Sequence, residues 1–422
     1  MYTRILTRVA YAACAIASFL PGAASASMVI RAQHFRPPAP VLGSPKVSVS
    51  GAVVSGDWIA VFDRSTGFEG GGQVMLYHHV GKQWDYAQTL SPPDAESCSD
   101  SMAMSGDLLF VSCPRAFDEE RGVYMGVVVV YAQSGGQWQL AQTISSATGF
   151  YGNPGFGASL AVSGDRLFIG YTGYAAMSDA LIYGDVEVFD ISTLPASYVM
   201  QILPDMSVAY ANFGSSLAAT NGMLAVGAND ANLAGIGDGA GAVYMFEQSG
   251  GDWVQRSMLT SAHPHAYDSF PSALAFQQAH LVAGSATNGA MDADGSLGAA
   301  FTYDGNGGSL SLADVLMPAT SETDTFFGQS LASVGGTVFV GEPNGGAGGH
   351  VHVYNSSDSG WAHASSFVAP SLADGAQFGF GLSSDGKTLV VTALERTESG
   401  AGSVYVYDAP PTDQIFGDGT EP

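Results

Sequence analysis

The segment "GHVHVY" sets His350 and His352 two residues apart. Residues two apart on a strand share a face, so this pair could begin a zinc site, which needs three or four ligands in a tetrahedron. No third ligand stands at a telling distance in the sequence. His78-His79 and the pair His263 and His265 are equally isolated, and all are read as structural histidines. Acidic residues offer a second chemistry. Glu322, Asp324 and Glu342 are read as loop acids. Carboxylates drawn from separate parts of the chain could act as the acid and base of glycoside hydrolysis. Nothing sets these three apart from surface charge. Calcium is the remaining candidate. "ANDANLAGIGDGAG" offers Asp230, Asn232 and Asp238, and "NGAMDADGSLG" offers Asn288, Asp292 and Asp294. Their spacing is not that of a complete twelve-residue calcium loop, and no Glu stands at the bidentate position. They are read as solvated turns. There is no G-x-S-x-G, H-E-x-x-H or phosphate-loop motif, so no catalytic residue, metal ligand or cofactor is assigned.

The elements around these residues come from the rest of the chain. Residues 1–26 read as a signal peptide, with Arg4 and Arg8 in a basic start, an apolar run over 9–20 and Ala24-Ser25-Ala26 at the cleavage site. Cys14 lies inside the apolar run, which disfavours a lipoprotein reading. No later run approaches a spanning helix. A secreted, periplasmic or cell-surface location is expected, and the leader looks bacterial. The whole chain has 13 basic and 38 acidic residues, a formal charge of -25. Loss of the two leader arginines takes it to about -27. A nucleic-acid partner is excluded, because phosphate contacts need a basic surface. With 46% apolar residues the chain is too hydrophobic for disorder, and its 55 glycines suggest many short strands with tight turns.

Three markers recur in fixed order. The first is "FGASLAVSG" at 156, "FGSSLAATNG" at 213, "FPSALAFQQ" at 270, "FGQSLASVGG" at 327 and "FGFGLSSDG" at 378, spaced by 57, 57, 57 and 51 residues. The second is a turn with a short apolar run, such as "SGDLLFV" at 105 or "NGMLAVG" at 221. The third is a glycine, then alternation ending in an aromatic, such as "GVVVVY" at 126 or "GSVYVY" at 402. The last two occur seven times each. Gly and Asn or Asp at the turns tolerate positive φ and predict hairpins. Trp84, Trp138, Trp253 and Trp361 begin a fourth strand, and are read as packing residues between units. Four short antiparallel strands per unit of 50–57 residues predict an all-β, seven-bladed β-propeller. The propeller is assigned to 27–409, with blades near 47–98, 99–155, 156–212, 213–269, 270–326, 327–377 and 378–409 plus 28–36, and a C-terminal tail over 410–422.

The last blade lacks a convincing fourth strand, because "PPTDQIFGDGTEP" is too rich in Pro, Gly and Asp. "MVIRAQHF" at 28–35 fits the pattern of "WDYAQTL", so the N-terminal strand is expected to complete blade seven. Two cysteines remain after the leader, Cys98 and Cys113. A hairpin turning at Ser105-Gly106 would pair residue i with 211 minus i and set them face to face, close enough for a disulfide. A shift in the turn would break that argument and leave two core thiols.

The "FG..LA" openings and the "VG" or "IG" endings of strand two resemble the FG-GAP repeat, which builds seven-bladed propellers including the head of integrin alpha chains. The resemblance spans nearly the whole mature chain. Blade six is nearest, with Gly341-Glu342-Pro343 where the family has Gly-Ala-Pro. Blades one and two lack the Phe-Gly pair, and blade five has Phe270-Pro271. The calcium loop that many such repeats carry between strands one and two is replaced here by a short turn. The resemblance implies a calcium-poor binding or cell-surface interaction module; a monomer with a protein or surface glycan ligand is expected, neither identified by the sequence. Its function would lie on the loops between strands two and three, where the apolar "GYTGYAAMSDALIYG" of blade three stands out. The alternative is an extracellular hydrolase or lyase using loop carboxylates.

Overall fold

Short alternating segments joined by two-residue turns must pair locally, and in the computed structural model they do. The structure describes residues 32–35, 49–64, 72–99, 101–148, 155–172, 184–204, 211–286, 298–306, 309–318, 325–357, 360–369, 375–394 and 402–408. Outside them lie the expected signal peptide with Cys14, the expected tail 410–422, the blade-five residues Asn288, Asp292 and Asp294, the acids Glu322 and Asp324, and residues 173–183 of the apolar blade-three loop.

Strand β1 (Ala32–Phe35) is first in the chain. Blade one comprises β2 (Val49–Ser55), β3 (Trp58–Asp63), β4 (Gln73–Val80) and β5 (Gln83–Leu90). Blade two has β6 (Met102–Ser105) and β7 (Leu108–Cys113), then an inserted hairpin of β8 (Phe117–Asp118) and β9 (Val123–Tyr124), then β10 (Val127–Ser134) and β11 (Gln137–Ile144). Blade three comprises β12 (Phe156–Ser163), β13 (Arg166–Tyr171), β14 (Asp185–Asp190) and β15 (Ser197–Ile202). Blade four comprises β16 (Phe213–Thr220), β17 (Met223–Ala228), β18 (Ala242–Ser249) and β19 (Asp252–Leu259). Blade five comprises β20 (Ala273–Gln277), β21 (His280–Ser285), β22 (Ala299–Asn306) and β23 (Ser309–Leu316). Blade six comprises β24 (Leu331–Val334), β25 (Thr337–Glu342), β26 (His350–Ser357) and β27 (Gly360–Phe367). Blade seven comprises β28 (Phe378–Ser384), β29 (Thr388–Ala393) and β30 (Ser403–Asp408), completed by β1.

Every blade is a four-stranded antiparallel sheet in sequential order, except that β1 supplies the outer strand of the last. Ala32 lies opposite Tyr407 and Phe35 opposite Val404, so the N-terminal strand closes blade seven as expected. The first strand of each blade packs on the first strand of the next, and β2 meets β28 to close the ring.

The three sequence markers converge where blades meet. Phe213 is fully buried at the start of blade four. It forms a parallel bridge with Gly184, the glycine that opens strand three of blade three. Gly184 has φ +80°, and a Cβ there would strike the Phe213 backbone. Gly241 with Phe270 and Gly298 with Phe327 repeat the bridge. Serine hydroxyls tie the same junctions: Ser159 Oγ donates to the Gly214 carbonyl at 2.7 Å, Ser272 Oγ to Gly328 at 2.7 Å and Ser330 Oγ to Gly379 at 2.8 Å. The "FG" marker is thus a clamp between blades. The apolar core follows this logic, with separate clusters each spanning two neighbours. Phe168, Val186 and Val188 of blade three, for example, pack on Leu224, Val226 and Tyr244 of blade four.

Tryptophans at the start of strand four serve these junctions. Trp138 meets Trp58 of the preceding blade edge-on at 5.5 Å, and Trp253 meets Phe168 at 5.2 Å. Trp84 joins the cluster that holds Val390 and Val404 of blade seven.

Cys98 and Cys113 form a disulfide, by a route that corrects the expected hairpin. Ser105 pairs with Leu108 and Met102 with Val111, so the turn is Gly106-Asp107 and the ladder follows 213 minus i. Cys98 lies outside β6. Ser99 donates its N–H to the Ser112 carbonyl at 2.9 Å, while Ser112 donates to the Ser101 carbonyl at 3.0 Å. Two residues thus bracket one, as in a β-bulge, and this slip restores the Cys98–Cys113 alignment.

Candidate functional site

An antiparallel four-strand blade puts its one-to-two and three-to-four turns on one face of the ring. Its two-to-three loops and the linkers to the next blade fall on the other. Backbone bonds knit that second face together. The N–H of Gly72 reaches Ala95 O at 2.9 Å, that of Tyr267 reaches Asp238 O at 2.9 Å and that of Asn344 reaches Thr325 O at 3.0 Å.

The two faces differ in chemistry. Among the described residues, the loop face exposes Phe117, Tyr124, Leu203, Ile236, Tyr267, Met317, Phe326 and Val368, whereas the turn face exposes only Val80 and Leu194 of the large hydrophobics. Phe117 and Tyr124 sit on the inserted hairpin of blade two with ring centroids 5.0 Å apart. Sequence reading missed this hairpin, because its strands are two residues each and carry no repeat marker. Tyr267 is 65% exposed and has φ +69°. Phe326 also has positive φ, at +57°. It fills the place before the clamp phenylalanine, where Asn212, Ser269 and Gln377 take the same left-handed conformation in other blades. A bulky side chain is strained there.

The histidine pair of blade six does find a carboxylate. Glu342 ends β25 and lies opposite His350 in the ladder, and is fully buried rather than a loop acid. His352 Nε2 meets Glu342 Oε2 at 2.8 Å, and His350 Nδ1 stands 3.7 Å from the same oxygen. On its other side His352 Nδ1 meets Ser366 Oγ at 2.9 Å, which also contacts His363 Nε2 at 2.9 Å. Burial, and then the charge of His352, hold the His363 pKa below its ordinary value. The chain runs from the junction core out to the edge strand. The strand register would have revealed it, since the last residue of strand two faces the residue after the marker glycine.

Blade three carries a second buried acid pair. Asp185 and Glu187 share a face of β14. Glu187 is capped by the linker from blade two, through Ala147 N–H at 2.9 Å and Thr148 Oγ1 at 3.0 Å. Asp185 accepts a short bond from Gln201 Nε2, and its Oδ1 is buried with no partner. Burial, aided by the Glu187 charge and opposed by the Gln201 bond, pushes the Asp185 pKa up to about 7.

The other sequence candidates are structural. His78 stacks on Trp58 at 4.3 Å and His79 on Trp84 at 4.8 Å. The N–H of His265 is taken by buried Asp268 at 2.7 Å. In the blade-four loop Asn232 Oδ1 accepts the Gly239 N–H at 3.0 Å, stapling the loop to itself. Burial and the neighbouring Asp238 charge raise the Asp230 pKa. Among the described residues, no three His, Cys, Asp or Glu side chains are placed to hold a metal ion. No helix there is long and apolar enough to cross a membrane.

No family model matches the chain, and no curated protein does. Among solved structures it is similar to the crystal structure of Saccharomyces cerevisiae Sqt1, at 12% identity and a TM-score of 0.49, over 90% of this chain and 98% of that one.

Proposed function

We propose that the protein is an exported propeller of FG-GAP type whose loop face binds a partner at the cell surface. One observation carries this reading: among the described residues, large exposed hydrophobics are scarce on the turn face, whereas the loop face exposes as many as the outer strands of the rim and brings Phe117 and Tyr124 into contact. Exposed apolar groups grouped on one surface mark interaction sites. The left-handed backbone at Tyr267, which is 65% exposed, adds support, because strained conformations cluster at functional sites. The hydrolase alternative needs carboxylates that meet over a cleft. The buried acids instead serve separate junctions, Asp185 and Glu187 in blade three and Glu342 in blade six.

The test is binding of the labelled mature protein to intact cells of the organism that makes it. Saturable binding should be lost in a loop-face variant carrying Phe117→Ser, Tyr124→Ser, Tyr267→Ser and Phe326→Ser. A turn-face control with Val80→Ser and Leu194→Ser should bind as the parent does. Equal binding by the loop-face variant would sink the reading.

A further inference from the structure

On the outer rim between blades five and six, a groove of about 370 Å³ is lined by His280, Asp304, Asp314, Ser356, Ser357 and Trp361. The repeat shows what is unusual about it. In blade one the sixth residue of strand four, Gln88, clamps the next blade: its Nε2 donates to Trp138 O at 2.8 Å and its Oε1 accepts the Trp138 N–H at 3.0 Å. Gln142, the sixth residue of β11, does the same to Ala196, at 3.1 Å and 2.6 Å. Asp314 is the sixth residue of β23. Its Oδ2 accepts the Trp361 N–H at 3.2 Å. A carboxylate has no N–H to give back. The donating half of the clamp is therefore missing, and a negative charge stands in its place.

The aromatic half of the junction changes too. Trp138 packs on the indole of Trp58, the first residue of its strand two. At the corresponding position Trp361 meets an imidazole, His280, edge-on at 6.0 Å. His280 is held by Asp304 through Nδ1 at 2.5 Å. Trp361 is only partly buried. Among the described residues, the Asp314 carboxylate takes two backbone N–H groups, those of Val315 at 3.0 Å and Trp361 at 3.2 Å. Among the described residues, no Lys or Arg meets Asp304 or Asp314.

We propose that this groove binds an arginine side chain presented by a basic partner. Its guanidinium supplies the N–H that Asp314 cannot. Asp304 gives a second carboxylate, and the hydroxyls of Ser356 and Ser357 can accept remaining protons. The Trp361 indole offers the π surface that a weakly hydrated, planar cation favours. The groove is on the rim, so this inference stands or falls apart from the loop-face reading.

The test is titration of the ¹⁵N-labelled mature chain with Nα-acetyl-arginine amide, read at the tryptophan indole N–H signals. Trp361→Phe identifies the relevant signal. That signal should shift saturably with arginine amide and stay in place with the neutral isostere Nα-acetyl-citrulline amide. Asp304→Asn with Asp314→Asn should weaken the response at least tenfold. Asp314→Gln rebuilds the clamp seen at Gln88; it should abolish the response without lowering the melting temperature. Equal shifts with citrulline amide, an unchanged titration in either variant, or no saturable shift in the folded parent would each overturn the proposal. So would saturation by N-acetylglucosamine in place of arginine amide.

Discussion

The hydroxyl of Ser159 in blade three donates to the carbonyl of Gly214 in blade four across 2.7 Å, in a fully packed junction. Gly170 lies against that same carbonyl, so closely that a Cβ would collide with it. The "SLA" serine, the "IG" glycine and the "FG" glycine are therefore parts of one contact, which explains why they recur together. Ser159→Ala should cost about 1 kcal/mol, the net value of a buried hydrogen bond. Gly170→Ala should cost more, about 1–3 kcal/mol, because backbone must move to admit the methyl group. Urea unfolding of the two variants checks the order; a neutral Gly170→Ala would contradict the clamp.

Asp185 predicts a pH dependence of stability. Its folded pKa, about 7, lies above the ordinary carboxylate value of 3.8. The folded state thus holds a proton that the unfolded state releases, and the stabilisation is full below about pH 4. It is lost as pH rises through 7. At one pKa unit per about 1.4 kcal/mol, the contribution is a few kcal/mol. Asp185→Asn should flatten the melting-temperature profile between pH 4 and 7 and raise stability at pH 8. A profile identical to the parent's would refute the assignment.

Residues 28–36 should be indispensable to the ring. The β1–β30 pairing covers the edge of blade seven and ties the N-terminal end of the chain to its last strand. Deleting 28–36 should lower the melting temperature and expose β30 to hydrogen exchange. An unchanged melting temperature would show that the segment is a mere linker.

The fold was legible because each marker is a physical necessity of the junction. Phe213 must fill it, Gly184 must let the backbones approach, and the turn glycines must take positive φ. The closing strand was legible because "RAQHF" repeats the pattern of other fourth strands. What escaped depends on neighbours in space. The Cys98–Cys113 alignment needs a bulge around Ser112 that no local composition announces. The Glu342–His352 pair arises from strand register, which makes Glu342 the last residue of a strand where local composition suggests a loop. The groove at Trp361 is a departure from the Gln88 clamp, visible only once that clamp is seen in three dimensions.

The most direct test of the binding account is hydroxyl-radical footprinting of residues 27–422, alone and with cell envelopes of the organism that makes the protein. Oxidation can be followed at Tyr124, Tyr267 and Phe326 on the loop face, at Tyr86 and Leu140 on the rim, and at Val80 and Leu194 on the turn face. The account predicts protection of the loop-face residues while the turn-face residues react as before. Protection confined to the turn face, or none anywhere, would contradict it.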